Sequence, residues 1–125
     1  MTARVQNAGL ARITAALEAL SWYLQWGTGT GAAATANVVT TTSTTEARAA
    51  ASAAQGTTTV TDDKLVLTGT ITAAGTRAIT EVGAFDAAGS GSPPTGGNMD
   101  IYGDFTVVNL TTGDSIAFTI NTTFS

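Results

Sequence analysis

With nine acidic residues, five basic ones and neither histidine nor cysteine, the chain has few groups able to do chemistry. Six of the nine acidic residues fall into three groupings: Asp62-Asp63, Asp100 with Asp104, and Glu81 with Asp86. Clustered carboxylates can hold calcium, and a pair can hydrolyse a glycoside. Calcium needs about six to eight oxygens, often from alternating loop positions. Asp100 and Asp104 on one strand face would stand about 13 Å apart by strand rise, too far to share an ion without a bulge. Spacing alone leaves a glycosidase pair open, but the chain is short and its cleft-forming aromatics are confined to 22–26. Without histidine, a serine or threonine nucleophile has no evident base, and the commonest transition-metal ligand is missing. The acids read best as solvated turn and strand-surface groups. No catalytic residue, metal or cofactor is expected.

Two other motifs invite a functional reading. The run Gly27-Thr28-Gly29-Thr30-Gly31 has the glycine content of a phosphate loop. It lacks the lysine and the strand-to-helix setting such loops require, so a turn tolerant of positive φ is the simpler reading. Trp22, Tyr23 and Trp26 put three aromatics into five residues of a chain that is only 6% aromatic. They read either as interface or sugar-stacking anchors, or as a plug at one end of a β core, which is the commoner fate of such rings.

Local periodicity supplies the elements that would position these groups. Leu10, Ile13, Leu17, Leu20 and Leu24 recur at spacings of three and four, predicting an amphipathic helix over 4–24. It is expected to lie on a sheet rather than form a short coiled coil. Residues 27–56 are rich in Gly, Ala and Thr, with Val38 and Val39 their only sizeable apolar side chains. This segment reads as an extended arm with a possible short helix near 46–54, ordered against a neighbouring subunit. Strands are expected at 57–61, 64–72, 78–85, 98–108 and 115–124. In the third of these, Ile79 and Phe85 share one face and Val82 takes the other, as in a strand covered on both sides. In the fourth, Met99, Ile101, Phe105 and Val107 share a face; in the last, Ile116, Phe118, Ile120 and Phe124 do. These two are expected to lie side by side as one wall of the core. The glycines and prolines of 87–97 predict an exposed, flexible loop. The expected fold is mainly β, an antiparallel sandwich or meander with one N-terminal amphipathic helix and an extended arm. Its divisions are a helix in 1–26, the arm in 27–56 and a β domain in 57–125.

Composition limits the partners. The chain has 125 residues, room for one domain. Charged residues are 11% of it, against roughly a quarter in ordinary soluble domains. Thr and Ala each contribute about a fifth. A surface of Thr, Ala, Ser and Gly repels itself little and loses little side-chain entropy on contact, which suits extensive protein–protein packing. The net charge of −4 and scattered basic residues argue against nucleic acid. No apolar run of membrane-spanning length occurs and no signal-peptide pattern opens the chain, so cytoplasmic synthesis without a membrane partner is expected.

A resemblance sharpens this. The stretch Ala78-Ile79-Thr80-Glu81-Val82-Gly83-Ala84-Phe85-Asp86-Ala87 resembles a segment of small bacteriophage virion proteins that reads ITEVGLF-(D/N)-A. In those proteins a glycine turn and a GNM…F strand follow, which Gly97-Asn98-Met99 and Phe105 match. Gly113-Asp114-Ser115-Ile116-Ala117-Phe118-Thr119 is similar to their closing strand. Trp26-Gly27-Thr28-Gly29-Thr30 and Thr44-Thr45-Glu46-Ala47-Arg48 extend the likeness toward the N-terminus. The chain departs from the pattern at Ala84, where leucine is usual, and in its longer loop at 88–97. The resemblance implies a virion component: a capsid decoration protein, homotrimeric and bound to the major capsid protein or another virion protein, or else a tail-fibre or tail-tip module. On that reading Trp22, Tyr23, Trp26, Val38 and Val39 are the candidate protein-contact residues.

Overall fold

The computed structural model describes residues 1–29 and 44–125. One helix, α1 (Asn7–Glu18), precedes six strands: β1 (Trp22–Gly27), β2 (Ala49–Gly56), β3 (Lys64–Thr72), β4 (Arg77–Phe85), β5 (Met99–Leu110) and β6 (Ser115–Thr123). All neighbours pair antiparallel in the order β5-β4-β1-β2-β3-β6. The mainly β, antiparallel expectation holds. In place of a sandwich there is one sheet, curled until it is nearly closed and barrel-like.

The helix is shorter than the leucine spacing predicts. Leu10 is buried and Leu17 packs against the core, but Leu20 is 57% exposed. After it a second periodicity takes over. Trp22, Leu24 and Trp26 of β1, one of the two middle strands of the sheet, alternate into the core. Both patterns are present between residues 17 and 26, and the strand wins because aromatic side chains on a central strand bury more apolar surface than one more helical turn would. The helix rests on β2 and β3. The Gln55 side-chain amide donates to the Ala11 carbonyl (2.9 Å) and to Thr14 Oγ1 (2.8 Å), and Thr14 donates to the Asp62 carbonyl (2.6 Å).

Residues 49–56, expected within the arm or as a short helix, form β2, which holds the sheet together. Its first half pairs with β1 (Trp22 opposite Ala51) and its second half with β3 (Ala53 opposite Leu67). Ala49, Ala51 and Ala53 point at the core, and their small size lets β1 and β3 approach across the bend. Gly69 of β3 lies so close to Leu24 that a Cβ there would stand 2.9 Å from Leu24 Cδ1. The remaining arm residues, 30–43, lie outside the described residues.

On β3, Leu65, Leu67 and Ile71 face the core as the alternation predicts. On β4, irregular pairing between Ile79 and Glu81 changes the phase, so Ile79, Val82 and Ala84 all enter the core while Phe85 takes the outer face. That outer face is covered by Arg48 and the 87–97 loop. The strands β5 and β6, expected as neighbours, sit at opposite ends of the sheet. They meet across the remaining gap through their side chains alone: the Phe105 and Phe118 ring centroids are 6.0 Å apart, and Trp26 meets Phe118 edge-on at 6.5 Å.

Candidate functional site

The expected contact residues occupy different environments. Trp22 and Trp26 are 4% and 1% exposed, within the core. Their indole N–H groups are satisfied internally, by the Leu17 carbonyl at 2.8 Å and by Thr44 Oγ1 at 2.8 Å. Tyr23, facing the other side of β1, is half-buried. Val38 and Val39 lie outside the described residues. Of these five, then, two fill the core and one is partly available at the surface.

The carboxylates are committed to holding turns and strand ends. Asp63, 3% exposed, accepts from the Thr58 N–H (2.7 Å), the Thr58 hydroxyl (2.6 Å), and the Thr59 and Val60 N–H groups. The Thr58 hydroxyl is the largest influence on its pKa; with the three N–H groups it outweighs desolvation and lowers the value to about 2. Asp86 accepts from the Asn98 N–H (2.7 Å) and side-chain amide (3.0 Å), which fastens the two ends of the 87–97 loop and holds its pKa below the ordinary value. Glu81, fully buried on the outer face of β4, accepts from the Tyr102 hydroxyl (2.7 Å) and the Gly29 N–H (3.2 Å). A Cβ at Gly27 would run into its carboxylate, so the first glycine of the Gly-Thr-Gly run leaves room for this acid. Burial works to raise the pKa of Glu46. Hydrogen bonds from Thr44, the Ala74 N–H and the Trp26 indole overcome that and bring it down to about 2; Arg77 also sits 3.0 Å away.

Asp100 and Asp104 are exposed on β5. Burial and, next, the charge of Asp86 raise the pKa of Asp100. Among the described residues no three His, Cys, Asp or Glu side chains gather as metal ligands would. A shallow hollow of about 370 Å³ lies between the start of α1 and residues 59–61, and its lining (Asn7, Ala8, Ala11, Thr59, Val60, Thr61) carries no ionisable side chain.

Arg48 has no recognisable functional motif around it in the sequence, yet it is the most heavily bonded basic side chain beside the 87–97 loop. It is 8% exposed, with its guanidinium centred 3.7 Å over the Phe85 ring. Nε donates to Gln25 Oε1 (2.7 Å), and Nη1 donates to the Ala87 (2.8 Å) and Gly96 (2.9 Å) carbonyls. Gln25 in turn reaches the Pro94 carbonyl. The loop expected to be flexible is thus strapped onto the sheet. The only sequence signal was one arginine in an otherwise uncharged Ala-rich run.

Two edge strands end the sheet. Among the described residues, β5 and β6 each have one hydrogen-bonded neighbour. Val107 and Val108 on β5 are 46% and 37% exposed, and the exposed positions of β6 are Ser115, Ala117, Thr119, Asn121 and Thr123. Such edges are templates for further strand pairing. Compared with family models, curated proteins and solved structures, the chain finds no match.

Proposed function

We propose that this chain is a bacteriophage virion structural protein, a capsid decoration protein that acts as a homotrimer and stabilises the shell by binding neighbouring major capsid proteins. The observation that carries the reading is a surface of low charge on which two strands, β5 and β6, have one hydrogen-bonded neighbour each among the described residues. A β-barrel-like body with two edge strands and a Thr-rich exterior is built for many modest contacts. Repeated over a shell, each contact can be weak while the sum is strong. The resemblance of 78–87, 97–105 and 113–119 to virion proteins supports the same reading, as does the engagement of Asp63, Glu46, Glu81 and Asp86 in structural hydrogen bonds.

The test is addition of purified protein to empty shells. The expected result is saturation in a fixed ratio to the major capsid protein, with delayed thermal rupture of the shell. A few copies per particle, located at the tail and able to block adsorption when added free, would transfer the chain to a tail-fibre or tail-tip role. Turnover of a glycan substrate, lost on Asp100→Asn or Asp104→Asn, would overturn both.

A further inference from the structure

We infer that residues 44–48 and the 87–97 loop form one latch, pinned by Arg48, that opens as a unit while the sheet stays paired. The inference does not depend on the virion reading. The two segments are distant in the chain and tied directly to each other. Arg48 Nη1 donates to the Ala87 (2.8 Å) and Gly96 (2.9 Å) carbonyls, near the two ends of the loop. Near the tip, the Ser92 hydroxyl donates to the Thr45 carbonyl (3.1 Å). Each segment is also fastened to the sheet. Thr44 Oγ1 accepts from the Trp26 indole (2.8 Å), and Glu46 accepts from the Ala74 N–H (2.9 Å) and Arg77 Nε (3.0 Å). The loop has the Asp86–Asn98 bonds and the Gln25 amide, which donates to the Pro94 carbonyl.

Arg48 makes the two segments move together. The ties the loop has of its own are weak: the Asp86–Asn98 bonds are open to water, and Gln25 reaches Pro94 at 3.4 Å. The bonds from Arg48 are short and charge-assisted, a class roughly twice as strong as neutral ones. When residues 44–48 lift, the guanidinium leaves with them. The loop then loses Nη1 from both its ends and the acceptor of Ser92. When the loop lifts, residues 44–48 lose the same three bonds. Nη2, buried and without a hydrogen-bond partner among the described residues, offers nothing to hold Arg48 in place. Beneath the closed latch lies Phe85, 1% exposed, with its ring 3.7 Å under the guanidinium. Opening therefore bares an aromatic side chain on the outer face of β4 and breaks no rung between strands.

Native-state hydrogen exchange by NMR on the full chain tests this. The Ser90 and Thr95 amides, each bonded to the other's carbonyl, report the loop; the Trp26 indole N–H, bonded to Thr44, reports residues 44–48. In the wild type all three are expected to exchange through one opening, lower in free energy and in denaturant dependence than that of the Leu67 amide in β3. Pro94→Gly loosens the loop and is expected to speed exchange of the Trp26 indole about fivefold, in step with the loop amides. Thr44→Val loosens residues 44–48 and is expected to speed Ser90 and Thr95 in turn. In an Arg48→Ala background each substitution is expected to reach its own segment only. Circular dichroism checks that the variants are folded, and the Leu67 amide measures any change in global stability. Wild-type loop amides that exchange through a different opening from the indole overturn the inference, with no variant needed. So does a Pro94→Gly or Thr44→Val effect confined to its own segment while Arg48 is present, or one that still crosses when Arg48 is replaced.

Discussion

Asp63 shows how much a single side chain does in a chain with few charges. Its neighbour Asp62 has a positive φ of 57°, and Asp63 gathers the preceding turn around its two oxygens. Its folded pKa of about 2 lies below the ordinary 3.8, and that of Glu46, also about 2, lies below 4.5. A carboxylate depressed on folding stabilises the folded state at pH above its unfolded value and stops doing so as pH falls through the folded one. The melting temperature is therefore expected to stay level down to about pH 5 and then fall steadily toward pH 2. Asp63→Asn, which keeps the shape but weakens acceptance of the N–H bonds, is expected to melt lower at pH 7 and to decline less steeply below pH 5. Thermal melts of both proteins across pH measure this; curves that coincide at every pH would show that the hydrogen bonds to Asp63 contribute nothing. In the sequence, Asp62-Asp63 could be read as a turn but not as a buried acceptor. Burial depends on where Phe124, whose N–H reaches the Asp63 carbonyl, brings the far end of the chain.

Elements were legible where one periodicity stood alone and obscure where two competed. In β3 and β6 the alternation of Leu65, Leu67 and Ile71, and of Ile116, Phe118 and Ile120, marks the core face directly. Between 17 and 26, helical leucine spacing overlaps strand-like Trp-Leu-Trp spacing, and only the tertiary gain from burying both indoles separates them. Residues 49–56 were opaque for the opposite reason: alanine carries little periodic signal, and its role in β2 is to be small where two strands crowd. The same blindness hid Arg48, whose partners Gln25, Ala87 and Gly96 come from two other parts of the chain. Arg48→Ala removes the charge-assisted bonds and the cover over Phe85. The expected cost is about 2–4 kcal/mol, with faster proteolytic cleavage in 87–97. Arg48→Lys is expected to recover only part of this, because an ammonium cannot reproduce the planar fork. Melting curves and timed proteolysis report both; an unchanged cleavage rate in Arg48→Ala would mean the loop is held by its own Ser90–Thr95 bridge and the Asp86–Asn98 bonds alone.

At the scale of the whole molecule the governing fact is that sequence neighbours are not always sheet neighbours. The turn Thr111–Asp114 joins β5 to β6, yet the two strands pair with β4 and β3, and Lys64 lies opposite Thr123. The turn is held by reciprocal bonds with Ala73 (Gly113 N–H to Ala73 C=O at 2.8 Å, Ala73 N–H to Asp114 C=O at 2.7 Å). Local pattern could find both strands but could not show that the tight link between them spans the gap of a nearly closed sheet. This topology also limits how fast the chain can fold. β1 needs β2 and β4 on its two sides, and β3 needs β6, so loop closure must be completed before most apolar surface is covered. Refolding is therefore expected on the millisecond-to-second scale of β barrels, rather than the microseconds of helical bundles. Trp22 and Trp26 sit inside the core, so their fluorescence in a stopped-flow dilution from denaturant follows the closing of the sheet. Phe118→Ala, at the gap, is expected to lower stability by about 3–5 kcal/mol, through the lost side chain and the cavity left beside Trp26 and Phe105. Microsecond refolding of the wild type, or a Phe118→Ala protein as stable as the wild type, would show that the sheet does not depend on this ring contact to hold its two ends together.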